Sequence, residues 1–132
     1  MMKTTRKQYT VYLGFMLLAC GGALVWQLFL PWMDGAFTSW GTSSGWQREI
    51  ALWNVGLIAA ILAAVLKQSE GMLRLMTFQS AVLCLCLGGN HLFALVQGFS
   101  WEYGIHLLGV LEVLLLGGVW GAVLLIRGRD KR

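Results

Sequence analysis

Polar and apolar residues along this chain alternate in long blocks. Four apolar runs, at about 9–30, 46–66, 75–96 and 104–126, are separated by short polar segments. A helix rises ~1.5 Å per residue, so each run is long enough to cross a ~30 Å hydrocarbon core. The first run is stopped by Pro31, which cannot continue helical hydrogen bonding. A loop rich in Gly, Ser and Thr follows, from Trp32 to Gly45. The other connections are short: Lys67 to Arg74, then Gln97 to Tyr103. Short connections favour antiparallel neighbours. The pattern predicts an all-α polytopic membrane protein, an antiparallel four-helix transmembrane bundle, as one domain over 1–132. There is no internal repeat and no linker.

Composition strengthens this reading. The chain is 58% hydrophobic and 12% charged, against roughly 25% charged in soluble domains. A soluble chain of this length could not cover so much apolar surface. The net charge of +4 does not point to nucleic acid, because the basic residues sit at the ends of the apolar runs. With four spans, Lys3, Arg6, Lys7, Lys67, Arg74, Arg127, Arg129, Lys131 and Arg132 share one side, and only Arg48 of the ten basic residues lies on the other. The positive-inside rule then expects both termini in the cytoplasm of a bacterial inner membrane. Trp32, Trp40, Trp46 and Trp101 fall at the opposite, outer face, as an aromatic belt would.

Cys20, Cys84 and Cys86 lie within apolar runs. Cys84 and Cys86 are two apart and face different directions on a helix, so they form neither a metal pair nor a CxxC redox motif. They are expected to be buried, inert thiols. Leu17-Leu18-Ala19-Cys20 has the look of a lipobox after a basic start. The sequence from Gly21 to Leu30 stays apolar, however, where a lipoprotein begins a polar tether. An ordinary first span is therefore expected.

Lipid tails are as apolar as Leu, so membrane helices associate through close packing of small residues. Helical spacing places Glu49, Trp53, Gly56, Ala60 and Ala63 on one stripe of span 2. Glu49 is thereby expected on the packed face. Span 4 carries Gly117-x-x-x-Gly121, and its stripe runs back through Val113 and Gly109 toward His106.

Polar side chains in the hydrocarbon region cost energy and are candidate functional groups. They are Gln27, Glu49, Asn54, Gln79, Asn90, His91, His106 and Glu112. Apart from Gln79, all fall in the outer half if the termini are inside. Helix rise puts Asn54 and His91 at a common depth, roughly 9 Å below the outer boundary. A ligand pocket open to the outside is expected, lined by spans 2, 3 and 4, with Glu49, Asn54, Asn90, His91, His106 and Glu112 as its polar groups. Each has a structural alternative. Glu49 and Arg48 would serve equally as a solvated interfacial pair, Asn54 and Asn90 as interhelical hydrogen-bonding groups, and His91 as a satisfied structural histidine. Glu112 has no basic residue in its own span; His106, His91 and Asn90 are its candidate partners.

The segments Trp40-Gly41, Trp46-Gln47-Arg48-Glu49-Ile50-Ala51-Leu52-Trp53-Asn54-Val55-Gly56 and Gly88-Gly89-Asn90-His91 resemble small four-span bacterial membrane proteins of the DoxX-like kind. The likeness is to an uncharacterised branch of that kind and covers most of spans 2 and 3. It implies that Glu49, Asn54, Gly88 and His91 belong together. Some DoxX-like proteins are subunits of quinone-linked oxidoreductases; no catalytic residue carries over.

The leading functional expectation is a non-enzymatic membrane protein whose outward pocket takes a small amphiphile, a quinone or a lipid. The alternative is an accessory subunit of a membrane oxidoreductase, docked to a partner or to a second copy through small-residue faces. A haem held by His91 and His106 is the other cofactor reading. A proton-coupled exporter fits less well: small multidrug exporters carry an essential carboxylate in span 1, which here has no Asp or Glu. No nucleophile–base pair, phosphate loop or metal-ligand cluster is present.

Overall fold

In a computed structural model, the backbone is described for residues 2–129 and the side chains for 6–128. Lys3, Arg129, Lys131 and Arg132, four of the basic residues behind the topology expectation, lie outside the described side chains.

Every regular element among the described residues is helical. The order is α1 (Met2–Phe29), a short α2 (Trp32–Phe37), α3 (Ser44–Lys67), α4 (Glu70–Gln97), α5 (Gly104–Leu108), a π-helical stretch (Gly109–Val119) and α6 (Trp120–Arg129). The last three run on from one another as a single span. Four segments are long and apolar enough to cross a membrane: Arg6–Phe29, Ser44–Lys67, Glu70–Gln97 and Gly104–Gly128. The protein is a multi-pass, all-α four-helix bundle. The start of α1, the end of α6 and the α3–α4 turn lie at one end, and α2 and the α4–α5 turn at the other.

Two boundaries differ from expectation. Part of the Trp32–Gly45 loop folds as α2: Pro31, whose fixed φ (−63°) is already helical, starts it without a side-chain cap. The Lys67–Arg74 turn is shorter than expected: Gln68 takes the left-handed conformation (φ 52°) and donates its N–H to Ala64, and α4 already starts at Glu70.

Each span buries one narrow face. On α1 it is Tyr9, Tyr12, Leu13, Met16 and Cys20; on α4 it is Leu73, Thr77, Ser80/Ala81, Cys84, Gly88 and Ala94/Leu95. These are helical spacings of three and four. Outside those faces the surface is apolar, with Leu18, Leu66, Phe78 and Val96 all more than half exposed. In a bilayer that surface meets acyl chains, so the bundle is held by close packing rather than by removal of apolar area from water.

The tightest contact is between α4 and the last span. A Cβ at Gly88 would lie 2.5 Å from the backbone of Leu114, and one at Gly117 would lie 2.5 Å from Cys84 Sγ. One at Gly109 would overlap the His91 ring. As positions on α4 fall from 91 to 84, their partners rise from 109 to 117, which is the antiparallel register. Gly121 closes the series against Tyr12 and Ala81. Tyr12 also donates its hydroxyl to the Gly117 carbonyl at 2.6 Å and packs edge-on against Trp120. A π-helix is ordinarily a single widened turn; here it occupies the stretch where the glycines let α4 approach its backbone.

The face of α3 is not the one expected. Gln47, Ala51, Leu57, Ile61 and Ala64 are buried, whereas Glu49, Trp53 and Gly56 are exposed and Ala60 is half-buried. Trp53 is 75% exposed, and a Cβ at Gly56 would meet nothing within 4 Å. Gln47 and Ala51 are two residues from Glu49 and Trp53, but Leu57, Ile61 and Ala64 are only one from Gly56, Ala60 and Ala63. At ~100° per residue the packed side is therefore turned by about a third of a turn from the predicted stripe. On the packed side the Gln47 amide donates to the Pro31 carbonyl at 3.2 Å, its oxygen staying without a partner among the described residues, and Ala51 and Ala64 provide the small residues.

Candidate functional site

At the α2 end, residues from three segments converge. Thr38 closes α2 by donating both its N–H and its hydroxyl to the Asp34 carbonyl. Its hydroxyl oxygen then accepts the N–H of Trp40 at 3.2 Å. Gly41, at φ +74°, takes the backbone into the left-handed region that glycine tolerates. This turn presents the Ser39 N–H to the start of the last span. There the fully buried His106 accepts it at Nε2, 3.0 Å away, and the Ser39 hydroxyl also lies 3.0 Å from that nitrogen. On its other side, His106 Nδ1 is 3.0 Å from Nδ1 of His91 on α4.

The tautomers follow from these contacts. A backbone N–H can only donate, so His106 Nε2 is unprotonated and Nδ1 carries the hydrogen of the neutral ring. His106 Nδ1 therefore donates to His91 Nδ1, and His91 carries its own hydrogen on Nε2. Nothing among the described residues accepts a hydrogen bond from that Nε2. The result is a directional chain from Ser39 through His106 to His91. Trp40 packs over both imidazoles, with ring centroids 4.9 Å from His91 and 4.5 Å from His106, and Tyr103 lies 5.9 Å from His106. Gly109 makes the arrangement sterically possible, since a side chain there would displace the His91 ring.

Beside this pair is an open cleft of about 590 Å³. Trp40, Asn90, Phe93, Gln97, Phe99 and Tyr103 are among its walls. It offers two amides and a phenol next to aromatic faces, on side chains that stay largely exposed.

The expected site residues separate into groups. His91 and His106 meet directly, and Asn90 faces the adjoining cleft. Asn54 turns instead to span 1, in a long 3.5 Å contact with Gln27. Glu49 is exposed, and among the described residues neither it nor Arg48 forms an ion pair. Glu112 is half-buried and makes no hydrogen bond or ion pair among the described residues, with the histidines or otherwise. Span 2 thus contributes no residue to the cleft wall, which besides Asn90 is built by Phe93, Ala94 and Gln97 of α4 and by the connections, among them Ser39, Trp40, Phe99 and Tyr103. Ser39 carries no sequence signal of its own. Trp40 reads as an interface anchor, and only the fold reveals that it also covers two imidazoles.

Metal–imidazole bonds are about 2 Å long, so axial ligation of one iron by both rings needs their nitrogens about 4 Å apart. The Nδ1 atoms are 3.0 Å apart and hydrogen bonded to each other, so in this arrangement those two nitrogens partner each other rather than a shared ion. Among the described residues no three of His, Cys, Asp and Glu group as metal ligands.

Compared with known proteins, the chain matches no protein-family model, and no curated protein or solved structure shows significant similarity to it.

Proposed function

We propose that this is a multi-pass protein of the bacterial cytoplasmic membrane, with both termini in the cytoplasm, that holds the polar head of a small amphiphile in the α2-end cleft. The observation that supports this best is the cleft itself. Asn90, Gln97 and Tyr103 provide hydrogen-bonding groups beside Trp40, Phe93 and Phe99, where the apolar segment Glu70–Gln97 ends. Pockets that bind small molecules combine apolar walls with a few placed polar groups. The histidine pair contributes by fixing Trp40, one wall of the cleft. A quinone or a lipid satisfies the chemistry, and the resemblance to DoxX-like proteins favours a quinone.

The test is mass spectrometry of lipids and quinones that co-purify in mild detergent. Wild type should retain one class of amphiphile at near one per protein. Asn90→Ala combined with Tyr103→Phe should lower that several-fold while the fold persists. Equal retention in both proteins would refute the assignment.

A further inference from the structure

A second groove lies at the opposite end of the bundle. Its volume is about 680 Å³, and it runs between the first turns of α4 and the last turns of α6. Arg74 is its one charged lining residue. Leu75 and Phe78 continue the wall along α4, and Ala122, Leu125 and Ile126 form the other side. Gly71 opens the mouth, since a Cβ there would meet nothing within 4 Å.

Three features define what fits. First, Arg74 is half-buried and forms no ion pair among the described residues. Its guanidinium offers five N–H donors in a fork suited to a phosphate. Second, Arg74 lies four residues into α4, about 6 Å along the helix, which is headgroup depth for a span that starts at Glu70. Third, the wall beyond it is apolar and open: Leu75 is 63% exposed, Phe78 56% and Ile126 61%. These residues lie within segments long and apolar enough to cross a membrane, where acyl chains are the surroundings they match. The occupant carries an anion at one end and a hydrocarbon chain directly beneath it. Exposed Lys67 and Arg127 add positive charge at the same end of the bundle.

We propose that this groove binds an anionic phospholipid, with its phosphate on Arg74 and one acyl chain along Leu75, Phe78 and Ile126. The site is separate from the α2-end cleft and does not depend on the function assigned there. It gives the terminal end a defined lipid contact, beyond the general attraction of basic residues to an anionic leaflet.

The experiment is native mass spectrometry of the purified full chain titrated with phosphatidylglycerol or with phosphatidylcholine of the same acyl composition. Wild type should bind phosphatidylglycerol at least about fivefold better, a difference of about 1 kcal/mol by the affinity relation. Arg74→Gln should abolish that preference, and Arg74→Lys should keep most of it. An Arg6→Gln/Lys7→Gln double variant, which removes charge from the same end but outside the groove, should behave as wild type. Ala122→Leu fills the groove without touching charge and should lower phosphatidylglycerol binding, so the proposal stays testable if Arg74→Gln folds poorly. A preference that survives both Arg74→Gln and Ala122→Leu overturns the proposal. So does a preference lost equally in the Arg6/Lys7 variant, because it would then reflect net charge alone.

Discussion

The two halves of the bundle solve the same problem differently. In the half that carries the termini, Tyr9, Tyr12, Leu13, Ile61, Leu73 and Leu124 pack into a largely apolar core. The buried hydroxyls of Tyr12 and Thr77 each meet one backbone carbonyl, while that of Ser80 has no partner among the described residues. In the half that carries α2, the buried His106 is hydrogen bonded to His91 on one side and to the exposed Ser39 on the other, while the buried Thr38 closes α2 on the Asp34 carbonyl. Buried polar groups stabilise a fold only when fully partnered. The packed half would tolerate exchange of one apolar side chain for another of similar volume. The polar half would not, because removal of one member strands the others. A polar chain of this kind is more than a bundle needs for cohesion, which is why the cleft beside it carries the functional reading.

Breaking that chain should give the largest effect. His106→Ala leaves the Ser39 N–H and His91 Nδ1 without their partner, and opens a cavity under Trp40. Unsatisfied buried groups cost about 1–3 kcal/mol each, so a loss of about 3 kcal/mol is expected in reversible unfolding in mixed micelles. A loss below 1 kcal/mol would mean that the polar half is not held by this pair. Gly109→Ala should come next. Its methyl collides with the His91 ring, and overpacking typically costs about 1–3 kcal/mol; the expected signature is lower thermal stability together with altered Trp40 fluorescence. Gly56→Ala and Glu49→Gln should not destabilise. Glu49→Gln should stay within about 0.5 kcal/mol, as is usual for exposed positions. Gly56→Ala, mid-helix with open space at its Cβ, should if anything stabilise by about 0.5–1 kcal/mol. A large destabilisation by either would restore the stripe that the sequence pattern favours. The comparison can also be sharpened without mutation. Nitrogen-15 shifts of the imidazoles should show hydrogen on Nδ1 of His106 and on Nε2 of His91; the reverse would break the directional chain.

Much of the bundle was legible in the chain. Four apolar runs of membrane length, stopped by Pro31 and by polar turns, correspond to the four spans, because hydropathy and helix rise act locally. The rotation of α3 was not legible. Gly56, Ala60 and Ala63 form as good a small-residue stripe as Ala51 and Ala64, and the side that packs is the one where Gln47 meets the carbonyl of Pro31, which is remote from it in sequence. Of the site, His91, His106 and Asn90 stood out as polar residues in apolar surroundings. Their grouping apart from Glu49, Asn54 and Glu112 depends on which helices are neighbours, and depth alone does not determine that. Ser39 and the turn that aims its N–H lay in a segment read as loop, where a backbone donor leaves no compositional trace.

The central claim is that a membrane-dissolved molecule occupies the α2-end cleft. It is tested most directly by photo-crosslinking with a diazirine-bearing amphiphile in native-like membranes, followed by peptide mapping. Adducts concentrated on Trp40, Phe93 and Phe99, and competed away by the unlabelled compound, are the predicted result. Labelling spread over exposed lipid-facing residues such as Leu18, Leu66 and Val96, with no competition, would contradict it.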